Sequence, residues 1–522
     1  MEMNDILILS DDKTTVLSVK DKAVKSVVIP DCVTKIGENA FSGCESLESI
    51  DIPDSVTEIG KQAFKGCRSL KIIDIPNSVT KIGECVCCEC AVLECINVVG
   101  NNSVYKSVEG VLYDKKMTSI IRFPTKHKNV AFVIPNSVTK IGLWAFDGCS
   151  SLESIDIPDS VTEIGGGAFS ECESLKSIDI PESVTEIGDG AFEFCRSLKS
   201  IDIPNSVTKI GELAFYECSS LKSIDIPNSV TKIGLWAFDG CSSLESIDIP
   251  ASVTEIGGGA FSECESLKSI DIPNSVTKIG ELAFDGCSSL ESIKVSKNNY
   301  VYKSVEGVLY DKKMTSIIRL PMKHKNVAFV IPNSVTEIGS SAFDGCSSLE
   351  SIDIPESVTE IGDGALGFCR SLKSIDIPNS VTKIGELAFY ECSSLKSIDI
   401  PDSVTEIGKE AFCGCSSLES IDVPDNVTEI GESVFYGCSS LKSIDIPNSV
   451  TKIGNFAFDG CCALKNIIIR CKNIENVAVS QDAFVDVDFN ECVLHIPSGT
   501  RWSYRHHPIF GKFKNIVTER FD

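Results

Sequence analysis

The 522-residue chain contains no run of about 18 apolar residues, the length a helix needs to cross a bilayer, so nothing in it reads as a membrane-spanning helix. Basic residues are also scarce. Lys and Arg number 48 against 74 Asp and Glu, a formal net charge of −26, whereas a protein that neutralises phosphates needs clustered cations. Nucleic acid and anionic membrane surfaces are therefore excluded as expected partners, and cations, basic proteins or neutral glycans remain. The N-terminus places Glu2 and Asp5 where a secretion signal carries Lys or Arg, so no signal peptide is read there. Histidine is nearly missing. The five present, His127, His324, His495, His506 and His507, lie outside the regular sequence pattern described next, and none is paired with a serine or cysteine in a way that suggests nucleophilic catalysis. The expectation is a protein that is not an enzyme and holds no cofactor, catalytic group or metal.

What the chain has in abundance is repetition. Ile-Pro or Val-Pro recurs at Pro30, Pro53 and Pro76, from Pro135 to Pro273, and from Pro332 to Pro447, in steps of 23 residues. One unit reads IDIPNSVTKIGELAFYECSSLKS from Ile201. Ile201 and Ile203 alternate with a polar residue, and Val207 with Ile210 repeats an extended pattern after an Asn-Ser turn, which marks two short strands with one face inward. Ala214, Phe215, Cys218 and Leu221 then fall at helical or 3-10 spacing, after Gly211 at a bend. Such a coil cannot bury its own apolar edge, and stacking copies solves the problem. The expected fold is a leucine-rich repeat solenoid, mainly β, with short parallel strands and one helical or 3-10 turn per 23-residue coil. The prolines, lacking an N–H, are expected to end the first strand.

The array is expected to run continuously over residues 23–470, with a hairpin-like cap over 1–22 and a degenerate coil and C-terminal cap over 471–522. Two units are longer. VYKSVEGVLYDKKMTSIIR begins at Val104 and again at Val301, 197 residues on, so a block of seven coils has been duplicated. The inserts, at about 100–130 and 297–327, read as hairpins protruding near Tyr113 and Tyr310, and the segment DILILSDDKTTVLSV before Pro30 reads as a third copy.

With the unit, the insert and the ending read, the chain resembles the BspA-like leucine-rich repeat proteins. The resemblance rests on I.IP.SVT.IG..AF..C.SL, on GVLYD...TSIIR.P, and on the ending with Ile496-Pro497, Gly499, Tyr504 and Phe513 to Ile516, similar to the terminal cap of such proteins in Bacteroidales-like bacteria. It implies a cell-surface or secreted adhesin-like array recognising a protein ligand such as host matrix or a receptor. The missing signal peptide and the many cysteines point the other way, to a cytoplasmic interaction scaffold. A shared scaffold does not by itself identify a ligand.

Three side-chain patterns remain. Sixteen of 25 cysteines share one repeat position, from Cys44 to Cys461; parallel stacking is poor disulfide geometry, and they read as small buried apolar groups. The cluster Cys85, Cys87, Cys88, Cys90 and Cys95 stands apart as a candidate for metal or disulfide, or as drift within a copied coil. Finally, the residue between the two inward isoleucines is Asp in thirteen coils. Asp156, Asp179, Asp202, Asp225, Asp248, Asp271, Asp353, Asp376 and Asp399 form the candidate partner-binding face, and Asp51, Asp74, Asp422 and Asp445 share the position. Alternation points them outward in columns spaced about 4.8 Å apart. Like charges so placed destabilise a sheet; either flanking Lys and Ser screen copied residues, or the stripe binds cations or a basic partner.

Overall fold

Each coil is built by handing its backbone hydrogen bonds to its neighbours, and the coil from Ile201 shows how. The computed structural model describes residues 6–521. Ser200–Asp202 pairs in parallel with Ser177–Asp179, bringing Ile178 beside Ile201, and both are buried. Pro204 then ends the strand as expected. Its carbonyl accepts the Val207 N–H at 3.1 Å, closing a four-residue turn. The Ser and Thr that follow fasten this corner to the preceding coil: Ser206 Oγ donates to the Val184 carbonyl at 2.5 Å and Thr208 Oγ1 to the Thr185 carbonyl at 3.3 Å. The second strand, Lys209–Ile210, pairs in parallel with Glu186–Ile187 and turns Ile210 inward.

The third side, expected to hold one helical or 3-10 turn, carries two successive turns closed from i to i+3 and does not become a helix. Tyr216 N–H reaches the Leu213 carbonyl and Cys218 N–H the Phe215 carbonyl, each at 3.1 Å. Between these turns Leu213 and Glu217 adopt left-handed backbone, with φ of 55° and 57°. For an L residue that costs on the order of 1–2 kcal/mol. It also aims three amides along the stack: Leu213, Phe215 and Glu217 donate to Leu235, Ala237 and Asp239 at 2.9, 2.8 and 2.7 Å. A helix would keep those donors to itself.

Inside, identical side chains meet. Phe215 stacks on Phe192 and Phe238 with ring centroids 5.4 and 5.3 Å apart and planes within 7°. The ladder cysteines do more than fill space. Cys218 Sγ donates to the Phe192 carbonyl at 3.2 Å, and Cys195 and Cys241 make the same contact to Phe169 and Phe215. A thiol must stay protonated to donate, and burial secures that by pushing Cys67 and Cys149 up to about 12.

The chain divides into two compact units, residues 1–267 with 278–284 and residues 268–277 with 285–522, and each is a β-solenoid of this kind. In the first, the insert is a three-strand meander. Tyr105–Val108, Val111–Asp114 and Ser119–Arg122 pair antiparallel, and the last joins the second-strand ladder beside Lys140–Ile141. The second unit repeats it with Tyr302–Val305, Val308–Asp311 and Ser316–Arg319. The expected hairpins are thus extended by one strand, and they do not protrude at the tyrosines: Tyr113 and Tyr310 are buried, because Val-Leu-Tyr turns its whole length toward apolar neighbours. Near the N-terminus Leu7–Leu9 and Thr15–Val19 form the hairpin, and the latter enters the ladder beside Lys35–Ile36 as the inserts do; positions 1–5 of the expected cap lie outside the described residues. At the other end Val493–Pro497 and Asn515–Glu519 extend the first-strand sheet. The helix Arg501–His506 lies between them and ties Tyr504 Oη to the Cys471 carbonyl at 2.7 Å.

The thiol ladder predicts that Cys195→Ser is tolerated, whereas Cys195→Ala, which leaves the Phe169 carbonyl with one donor fewer, destabilises by about 1 kcal/mol. In native protein a thiol reagent should label Cys32 and Cys462, the exposed pair, and leave the ladder unlabelled until denaturant is added. Rapid native labelling of most ladder cysteines would refute their burial.

Candidate functional site

Alternation along the first strand does place the aspartates outward. In the first unit Asp156, Asp179, Asp202, Asp225 and Asp248 are exposed, with Asp179 opposite Asp202 in the strand ladder and Asp202, Asp225 and Asp248 linked by successive bridges. In the second unit Asp353, Asp376 and Asp399 stack in register and are exposed, as is Asp271, while Asp422 pairs with Asp445. The structure thus brings the predicted residues together as columns, at the strand spacing of about 4.8 Å. One carboxylate per coil is far short of the six to eight oxygens a calcium ion takes, and no cluster of His, Cys, Asp and Glu suited to a metal occurs among the described residues.

The columns have distinct ends. Val28 stands before Asp51, Val133 before Asp156 and Val330 before Asp353. Val133 and Val330 are each 69% exposed, an unusual position for a large aliphatic group. Where the position changes from Asp in the next coil, a neutral or cationic group meets the carboxylate. Asn97 Nδ2 donates to Asp74 Oδ1 at 2.8 Å, Lys294 Nζ lies 3.7 Å from Asp271, and Arg470 grips Asp445 through Nε and Nη2 at 3.0 and 2.7 Å. Beside the columns, opposite charges from adjacent coils do meet, as in Lys176 with Glu153 at 2.6 Å and Lys373 with Glu350 at 2.6 Å. In the second-strand column opposite charges meet at several steps, although Lys209 faces Lys232 and Glu337 faces Glu360. Glu255 sits between Lys232 and Lys278 at 3.1 and 2.7 Å, and hydrogen bonds from the two lysines hold its carboxyl below the usual range.

His127, His324, His495 and the cysteine cluster make contacts within the fold. His127 Nε2 contacts the Glu109 carbonyl at 2.8 Å and His324 Nε2 the Glu306 carbonyl at 3.1 Å, each tying the end of an insert to its meander. His495 lies between Glu519 and Asn466 in the cap. In the cysteine cluster, Cys85 and Cys88 form a disulfide, so the cluster is not merely drifted copies of a buried thiol; Cys87 and Cys90 are buried thiols and Cys95 Sγ donates to Asn97 Oδ1 at 3.0 Å.

Sequence reading missed two buried polar pairs. Asn102 and its copy Asn299 replace the Ser corner at the inserts: Asn102 Nδ2 donates to the Pro76 and Val79 carbonyls at 3.0 and 2.8 Å while Oδ1 accepts from Val104 and Tyr105. Arg122 is 2% exposed. Its guanidinium donates to the Trp144 carbonyl at 2.5 Å and the Asp147 carbonyl at 2.9 Å, and Nη1 lies 3.4 Å from the Asp147 carboxylate, whose pKa burial raises. Arg319 makes the matching contact to the Ser341 carbonyl at 2.6 Å and pairs with Asp285. The signal was present in the sequence: Ile120 to Phe123 spans three steps where Ile141 to Phe146 spans five. The insert coil lacks two residues of the third side, and arginine occupies the gap.

A stacked β-coil presenting regular outward columns defines a leucine-rich repeat scaffold, a class suited to protein interaction and in general non-enzymatic. The chain belongs to the BspA type leucine-rich repeat family, whose six-copy repeat region matches residues 19–132, 122–242, 208–327, 322–441 and 382–500. The pneumococcal vaccine antigen PcpA is similar in structure, at 24% identity and a TM-score of 0.53 over 80% of this chain and 96% of its own. A leucine-rich repeat protein from Bacteroides ovatus matches over 94% of this chain and 97% of its own, at 27% identity and a TM-score of 0.38. One from Eubacterium ventriosum matches over 55% and 92%, at 25% identity and a TM-score of 0.45. Among curated proteins no sequence matches. No helix among the described residues is long and apolar enough to cross a membrane.

Because column carboxylates repel their neighbours, Asp202→Asn, Asp225→Asn and Asp248→Asn combined should leave the circular dichroism spectrum unchanged and the Tm equal or slightly higher. A fall in Tm of more than about 5 °C would show that these carboxylates hold structure.

Proposed function

We propose that the protein is an adhesin-like recognition array, displayed outside a cell, whose aspartate columns contact a basic protein ligand. The supporting observation is the exposure of these carboxylates in strand register within each unit, Asp179 with Asp202 in the first and Asp353, Asp376 and Asp399 in the second, where Val330 stands before Asp353 and Arg470 meets Asp445. A regular strip of one charge focuses potential and speeds encounter with a polycation, at a rate that salt suppresses. One Asp per coil favours a distributed contact over a discrete ion site. The family resemblance supports a host or microbial surface protein as the ligand class.

An intracellular scaffold using the same face is the second reading, and the 23 cysteines that remain thiols favour it, because secreted chains seldom keep so many reduced. Protease shaving of intact source cells separates the two: digestion of this chain without lysis supports display, and protection until lysis overturns it.

The ligand-binding face is tested with immobilised poly-L-lysine, and poly-L-glutamate as control. Binding should weaken by about tenfold or more between 50 and 300 mM salt. The triple Asp→Asn variant at 202, 225 and 248 should bind less and show a shallower salt dependence. If wild type and variant bind alike, the columns are only copied sequence.

A further inference from the structure

The coil that precedes the first insert departs from every other in one respect. Its third side reads Cys85-Val86-Cys87-Cys88, where the coil from Val33 has Asn39-Ala40-Phe41-Ser42. Cys85 takes the left-handed position, with φ of 52° against 57° at Asn39. Cys88 takes that of Ser42. In the regular coil the Ser42 N–H closes the turn on the Asn39 carbonyl at 3.0 Å, and here the Cys88 N–H reaches the Cys85 carbonyl at 3.4 Å. The turn is therefore made in the other coils without a covalent bond, and the Cys85–Cys88 disulfide is not needed to hold it.

The two sulfurs differ in surroundings. Both line a cleft open to solvent, together with Trp144, but Cys85 is half-buried and Cys88 is 2% exposed. Cys88 Sγ lies 3.8 Å from Arg122 Nη1, the buried guanidinium of the shortened insert coil. Cysteines with two residues between them, one reachable and the other beside a cation, are the arrangement in which thiol–disulfide exchange is directional.

We propose that Cys85–Cys88 is a reversible redox site, with Cys85 the sulfur attacked by an external thiolate and Cys88 the leaving sulfur. The incoming thiolate forms a bond to Cys85 Sγ as the Cys85–Cys88 bond breaks, and the electron pair leaves on Cys88 beside Arg122. A second external thiolate then attacks the outer sulfur of that mixed disulfide. It releases the external disulfide and leaves the Cys85 thiolate, so two electrons have entered, and water supplies the protons the two sulfurs take up. An external disulfide runs the sequence backward. The cleft also selects its reagent. Glu89, Asp147, Glu171 and Glu193 line it against Lys61 and Lys65, and burial with nearby carboxylates raises the pKa of Glu171 and Glu193. Neutral or cationic thiols are favoured over glutathione, which carries net negative charge.

The test uses the full chain with the two exposed thiols removed, Cys32→Ser and Cys462→Ser. Protein equilibrated across ratios of reduced and oxidised dithiothreitol is quenched in acid, alkylated and read by peptide mass. The expected result is a reversible two-electron titration confined to Cys85 and Cys88, with unchanged circular dichroism. Trp144 fluorescence should rise on reduction, and the rise should vanish in Trp144→Phe. Cysteamine, compared at equal thiolate concentration, should react at least about tenfold faster than glutathione at low salt, the gap narrowing as salt screens the cleft. A brief cysteamine pulse should trap the mixed disulfide on Cys85, and Arg122→Met should slow reduction by about tenfold. If that variant does not fold, the position of the trapped disulfide decides. Trapping on Cys88, failure of the pair to oxidise, or reduction only on global unfolding would overturn the proposal.

Discussion

The structure depends on one constraint, that the amides and carbonyls of a coil must meet those of its neighbours at a constant offset. On two sides the partners are strand ladders, and on the third they are amides turned outward from tight turns by left-handed residues such as Leu213 and Glu217. An inserted segment must restore that offset before the stack can continue. The meanders do so by feeding Ser119–Arg122 and Ser316–Arg319 into the second-strand ladder. Asn102, Asn299, Arg122 and Arg319 supply donors where the backbone, for those few residues, cannot. Buried polar groups elsewhere in the core are rare because the regular coil satisfies its own backbone.

The same offset makes each side chain answer to its own copy. For phenylalanine the result is a stack and for cysteine a chain of thiol-to-carbonyl contacts, both favourable. For aspartate it is repulsion, tolerable only because the column faces water. Glu255 shows the alternative within the same molecule: where the sign of charge changes from coil to coil, as from Lys232 to Glu255 to Lys278, neighbours in a column attract. The aspartate position keeps one sign within each column and changes only at its end, as at Lys294 after Asp271.

The coil was legible because its signals are redundant. Alternating isoleucines, a proline corner and the Phe-Cys-Leu spacing recur until a single unit defines the fold, and the outward direction of the aspartates follows from alternation alone. The third side was legible only as one helical or 3-10 turn, since spacing does not report that Leu213 carries a positive φ. The inserts read as protruding hairpins because GVLYDKKMTSIIR has two strand-like runs around a polar turn; packing against the coil instead buries Tyr113 and Tyr310. Arg122 escaped notice because a lone arginine between apolar residues looks like a strand end, and only the missing two residues reveal the space it fills. The Cys85–Cys88 bond likewise depends on which sulfurs the turn brings together, a matter of backbone conformation that counting thiols does not reach.

A perfectly uniform comb of charges has no preferred position along its length. A polymeric or repetitive ligand lying on it would find the same energy after every shift by one coil, and would slide. The valine that opens a column and the cation that closes it break this translational degeneracy. Between Val330 and Arg470 a bound chain would sense where the row begins and ends, as a ruler with two stops gives a zero to otherwise identical marks.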